Sequence, residues 1–120
     1  MPRPLSSRER LVLVAMIDHA EPFDGEPRPT TAARQSWRTQ VPSLLVDSVC
    51  ECGDCPSVSL APASVPAGVP GAERAVLGAG LSDALVLLFV DGGTPSYLEL
   101  APHGEGTRYT EFPDADLLEF

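Results

Sequence analysis

At 120 residues the chain is one domain of ordinary size, able to bury a single core without disulfide or metal staples. A hydrophobic content of 43% with 21% charged residues excludes a disordered chain, and thirteen prolines exclude an all-helical bundle, because each fixes φ and removes a backbone donor. Seventeen acidic residues stand against eight arginines and no lysine, a net charge of −9, which disfavours nucleic acid and anionic lipid as partners and leaves room for a basic protein.

In chain order, Ser6 and Glu9 have capping-box spacing ahead of the apolar run Leu11 to Ile17, so the spacing predicts a helix over residues 6–20. That run is flanked by Arg8, Glu9 and Arg10 and by Asp18 and His19. With seven apolar residues and no small-residue cleavage site it reads neither as a secretory signal nor as a membrane helix. A Pro/Gly-rich loop over Glu21 to Pro29 leads to a second helix, Ala32 to Gln40, capped by Thr30 or Thr31, carrying Trp37 and ending before Pro42.

Beyond Pro42 the pattern is that of strands. Leu44 to Cys52 and Cys55 to Leu60 flank Gly53-Asp54, which suits a two-residue hairpin turn. Alternation places Cys50 and Cys52 on one face with Cys55 opposite Cys52, and Val49 and Val58 on the other face. Ala61 to Gly71 has no periodicity and reads as a linker. A second hairpin runs from Leu85 to Val90, through Asp91-Gly92-Gly93-Thr94, and back from Pro95 to Leu100, and the tail Asp116 to Phe120 is a candidate edge strand. The expected architecture is a single α+β domain over residues 1–120: two N-terminal helices in a helical part, 1–42, packed on a mainly antiparallel sheet built from two β-hairpins, 43–120.

The one cluster whose spacing asks for chemistry is Cys50-Glu51-Cys52-Gly53-Asp54-Cys55. Zinc takes four nitrogen or sulfur ligands in a tetrahedron. Cys50, Cys52 and Cys55 can supply three, with His19, His103, Glu51 or Asp54 as the fourth, for a structural rather than catalytic site. The same residues also allow a thiol-disulfide couple of Cys52 and Cys55, although a strand rather than the activating helix follows them, or a plain buried thiol cluster.

Other motifs are incomplete. Gly78-Ala79-Gly80 lacks the third glycine of a dinucleotide fingerprint, where Asp83 stands. Asp114-Ala115-Asp116 lacks the glycine and distal glutamate of a calcium loop. No nucleophile elbow is present.

The run Val49 to Val58, followed by Phe89-Val90-Asp91-Gly92-Gly93 and Ser96-Tyr97-Leu98-Glu99, resembles a group of small, mainly actinobacterial proteins that pair a Cys-x-Cys-Gly-(x)-Cys-Pro segment with a later strand, glycine turn and strand. The resemblance covers the middle half of the chain and implies a lineage and a hairpin fold. It implies no activity, since the group has no established function, and Asp54 here separates Gly53 from Cys55 where many members run the two together.

These readings converge on a small acidic cytoplasmic protein, non-enzymatic and binding another protein. One form is an immunity-like partner for a basic toxin, with a cysteine hairpin that holds structural zinc. The alternatives are a thiol-disulfide oxidoreductase using Cys52 and Cys55, and a homodimer.

Overall fold

The computed structural model describes residues 2–22, 28–50, 56–62, 74–103 and 109–120. In chain order these form β1 (Arg3–Pro4), α1 (Ser7–His19), β2 (Glu21–Pro22), α2 (Thr31–Gln40), β3 (Leu44–Val49), β4 (Val58–Pro62), β5 (Ala75–Gly80), β6 (Ala84–Asp91) and β7 (Thr94–Pro102).

α1 starts at the expected capping box. The Ser6 hydroxyl accepts from the Glu9 N–H at 3.1 Å and the Glu9 carboxylate accepts from the Ser6 N–H at 2.8 Å, satisfying two donors that a helix start leaves open. Arg3 then grips the same carboxylate with both guanidinium nitrogens, at 2.9 and 2.8 Å. At the far end, Arg34 of α2 donates to the carbonyls of Ile17 and Ala20, which closes the exposed terminus of α1 and pins the two helices together. α2 is capped by Thr30, whose hydroxyl accepts from the Ala33 N–H at 3.0 Å.

The sheet corrects the expected architecture. Instead of two hairpins, the described residues form one seven-stranded antiparallel sheet in the order β1-β3-β4-β7-β6-β5-β2. Nor do the two helices make an N-terminal block, because β1 precedes α1 and β2 separates α1 from α2. The missed strands have a physical reason. β1 and β2 are two residues long and each ends in proline, so neither shows periodicity. β5, Ala-Val-Leu-Gly-Ala-Gly, carries two glycines that read as breakers. The tail contributes only a single bridge, Gly80 to Glu119, beside a 3-10 turn at Ala115–Leu117.

β5, β6 and β7 form a meander, and β4 lies beside β7 after a long connection, the arrangement of a Greek key. The β6–β7 turn is Gly92-Gly93 with φ of 61° and 82°. Both are positive, as a type I′ turn requires and as glycine alone adopts freely.

Both helices pack on one face of this sheet. Val12, Leu13, Met16 and Ile17 of α1 and Trp37 of α2 meet Val46, Val58, Leu77, Val86, Leu88, Leu98 and Leu100 in one core, which Phe112 and Leu118 complete. Burying each large aliphatic side chain contributes about 1.5–3 kcal/mol.

Candidate functional site

Cys50 stands one residue beyond β3, half-buried, and its N–H donates to the Ser57 carbonyl at 2.9 Å. Val49 pairs with Val58, which is the register that a two-residue Gly53-Asp54 turn demands. Cys52 and Cys55, with Glu51, Gly53 and Asp54, lie outside the described residues, so their expected opposition has no geometry here. Among the described residues, no group of three or more His, Cys, Asp or Glu side chains could hold a metal ion.

Strand directions separate the two histidines expected as fourth ligands. β4 runs antiparallel to β7 with Val58 opposite Leu98, so β7 runs out toward His103 at the same end of the sheet as the cysteine segment. His19 stands at the opposite edge, at the end of α1, with its ring 5.5 Å from that of Phe120.

Just inside that end the ladder carries a repair. The β4–β7 register brings Pro56, which has no N–H, opposite Leu100. The hydroxyl of Ser57, 1% exposed, accepts from the Leu100 N–H at 3.0 Å and donates to the Leu100 carbonyl at 3.4 Å. One side chain thus serves both the N–H and the C=O of Leu100. A cleft of about 370 Å³ opens beside it, lined by Arg3, Glu9, Val49, Pro56 and Phe112 among others. Its charged groups are committed to each other: burial would raise the Glu9 carboxyl, but the Arg3 fork and the Ser6 N–H outweigh it and hold the group below its ordinary range.

A wider cleft of about 600 Å³ is lined by Arg28, Arg34 and Arg38. These arginines are likewise engaged: Arg28 with Glu21 at 3.0 Å, Arg38 with Asp18 at 2.6 Å, and Arg34 with the α1 carbonyls. Gly78-Ala79-Gly80 lies within β5, a strand rather than a phosphate loop. Neither cleft joins a nucleophile to a base, which is the minimum that covalent catalysis asks.

What does stand out is the sheet face turned away from the helices. Pairing puts Tyr97 opposite Phe89 and Phe89 opposite Val76, Glu99 opposite Leu87 and Leu87 opposite Gly78, and Ala101 opposite Leu85 and Leu85 opposite Gly80. Leu45 and Ala61 extend the surface onto β3 and β4. None of these side chains belongs to the cluster that the helices cover. Leu87 is buried, at 9% exposure, at the centre of this face, and the others, with Leu85, Phe89 and Tyr97 around it, are half-buried.

Compared with family models, curated proteins and solved structures, the chain matches none of them.

The face is ordered at one corner by a polar clamp. The Phe89 and Tyr97 rings meet edge-on with centroids 5.9 Å apart, and the Arg74 guanidinium sits 5.3 Å above Phe89. Arg74 pairs with Asp91 at 2.7 Å, and Asp91 also accepts from the Ser96 hydroxyl. The Arg74 and Ser96 hydrogen bonds hold the Asp91 carboxyl below its usual range. At the opposite corner the face is acidic. Glu21, Leu85, Gly78, Gly80 and Glu119 line a shallow hollow of about 250 Å³, open because the two glycines carry no side chain. Sequence reading missed this surface because it requires β5 and the full register. Its one signal is the run Leu85 to Val90, apolar at every position and so able to present hydrophobic residues on both sides of the sheet.

No helix among the described residues is long and apolar enough to cross a membrane.

Proposed function

We propose that this is a small acidic protein-binding domain of the cytoplasm, not an enzyme, whose contact surface is the far face of the sheet. The observation that carries the reading is that face itself: half-buried Leu85, Phe89 and Tyr97 stand around buried Leu87 outside the core that the helices cover, a grouping of apolar side chains of the kind found at interaction sites. Tyr and Phe at its centre are residue types favoured at interface hot spots and cores. The sheet edges are poor alternatives, since β1 and β2 are short, charged and end in proline, the usual devices against strand addition. An immunity-like role, masking a basic protein, is one form of this function. A photo-crosslinking residue at position 89 is expected to give one discrete adduct in cells, while the same residue at Leu11, exposed on α1, gives none; equal labelling from both positions would contradict the assignment.

The same reading keeps Cys50, Cys52 and Cys55 as a structural zinc hairpin, supported by the Val49–Val58 register and by His103 at that end of the sheet. Protein purified without chelator is expected to carry about one zinc per chain and to lose stability when it is removed. Three metal-free thiols with unchanged stability would end the zinc assignment and leave the binding face untouched.

A further inference from the structure

We infer that residues 109–120 form a latch: one segment that lifts off α1 and the β5 edge as a unit while the sheet and both helices stay folded, and whose own carboxylates set how readily it lifts.

Its path supplies the first argument. Glu111 lies 4.0 Å from Arg8 in the first turn of α1, and the Phe120 ring lies 5.5 Å from that of His19, the last residue of α1. The segment therefore follows the helix from end to end, a span of about 16 Å. On its other side it meets the β5–β6 connection. The Tyr109 hydroxyl donates to Asp83, and Glu119 exchanges two backbone hydrogen bonds of 2.9 Å with Gly80. Apart from that bridge and one 3-10 turn, the segment has no regular structure.

Its attachment is thin. Only Phe112 and Leu118 enter the core as buried side chains. Fixing the backbone of one residue costs roughly half as much as burying one large apolar side chain contributes, so ordering the whole segment offsets these two anchors. β6 and β7, in contrast, are paired on both sides.

Charge loosens the segment further. It carries Glu111, Asp114, Asp116 and Glu119 and no arginine. Among the described residues the one cation within ion-pair reach of these carboxylates is Arg8, at that 4.0 Å separation from Glu111. Further carboxylates face it: Glu119 shares one hollow with Glu21, itself paired with Arg28, and another with Asp83. Like charges at these places oppose docking.

Lifting has a definite consequence. It frees the N–H and C=O of Gly80, next to the Leu77 and Gly78 positions that β2 covers, and it opens the seats of Phe112 and Leu118 beside α1. The closed latch thus guards a stretch of sheet edge against pairing with another strand.

The test follows amide hydrogen exchange of the full-length protein by NMR in low urea. Gly80 is the reporter, because it belongs to β5 while its N–H is held by the segment. It is expected to exchange at least about a hundredfold faster than Leu88 and Leu98 of the central strands, with a markedly smaller urea dependence, as a local opening requires. Leu118→Ala should speed Gly80 by about tenfold or more and leave the chemical shifts of the central strands in place. Asp116→Asn/Glu119→Gln, which removes charge without touching the core, should slow Gly80 by about threefold or more. Gly80 sharing the rate and urea dependence of Leu88 would overturn the inference, as would a Leu118→Ala chain that loses its fold altogether or leaves Gly80 unchanged. A neutralised segment whose Gly80 exchange is unchanged or faster would overturn the role of the carboxylates.

Discussion

Two residues show how far local chemistry can be read without a fold. Glu9 belongs to a capping box that is complete within four residues, so its role was legible in the sequence; its third partner, Arg3, was not, because the reach depends on β1 turning beside α1. Glu9→Gln is expected to cost about 1–2 kcal/mol at pH 7, from the lost charge-assisted bonds. The folded-state pKa of Glu9 is lowered, so its contribution is fully present above the ordinary glutamate value of about 4.3 and is lost as pH falls through the folded value. Urea unfolding of the two proteins should therefore converge in acid, and a gap that is constant with pH would contradict the assignment. Ser57 is the opposite case. Nothing in Pro56-Ser57 signals that the hydroxyl will serve Leu100, because that follows only from which strand β4 meets. Ser57→Ala should cost about 1–3 kcal/mol by stranding a buried N–H and C=O, read from the urea midpoint at unchanged slope.

At the scale of elements, legibility followed length and periodicity. α1, α2 and the β6–β7 hairpin carry caps, a long apolar run or a glycine turn and were anticipated close to their observed bounds. β1 and β2 are too short to have a pattern, and β5, in which four of six residues are alanine or glycine, has its strand conformation imposed by pairing with β6 along six residues. The β6–β7 turn gives a direct check. Gly92 has φ of 61° with open space around a would-be Cβ, so Gly92→Ala is strained by backbone alone and should lose about 1 kcal/mol. Gly80→Ala, whose Cβ would find its nearest neighbours at 3.9 Å without positive φ, should lie within about 0.5 kcal/mol of the parent. Thermal melts of the two variants decide it, and equal losses would mean that the turn is not held in the left-handed region.

For the whole molecule, the decisive feature is an imbalance between the two faces of one sheet. Both helices, Phe112 and Leu118 build the core on one side, while the other keeps Leu85, Leu87, Phe89 and Tyr97 in a surface edged by carboxylates. The cysteines drew attention in the sequence because they are close in the chain. The far face escaped it because its members come from several strands and meet only once the register is known. The most direct measurement is carbene footprinting of the purified, monomeric protein with residue-level mass spectrometry. An accessible binding face predicts labelling of Leu85, Phe89 and Tyr97 that is below that of exposed Leu11 and clearly above that of buried Leu88 and Leu98. Labelling of those face residues as low as that of Leu88 would mean that the surface is covered within the chain itself, and the account of this protein as a sheet-face binder would be wrong.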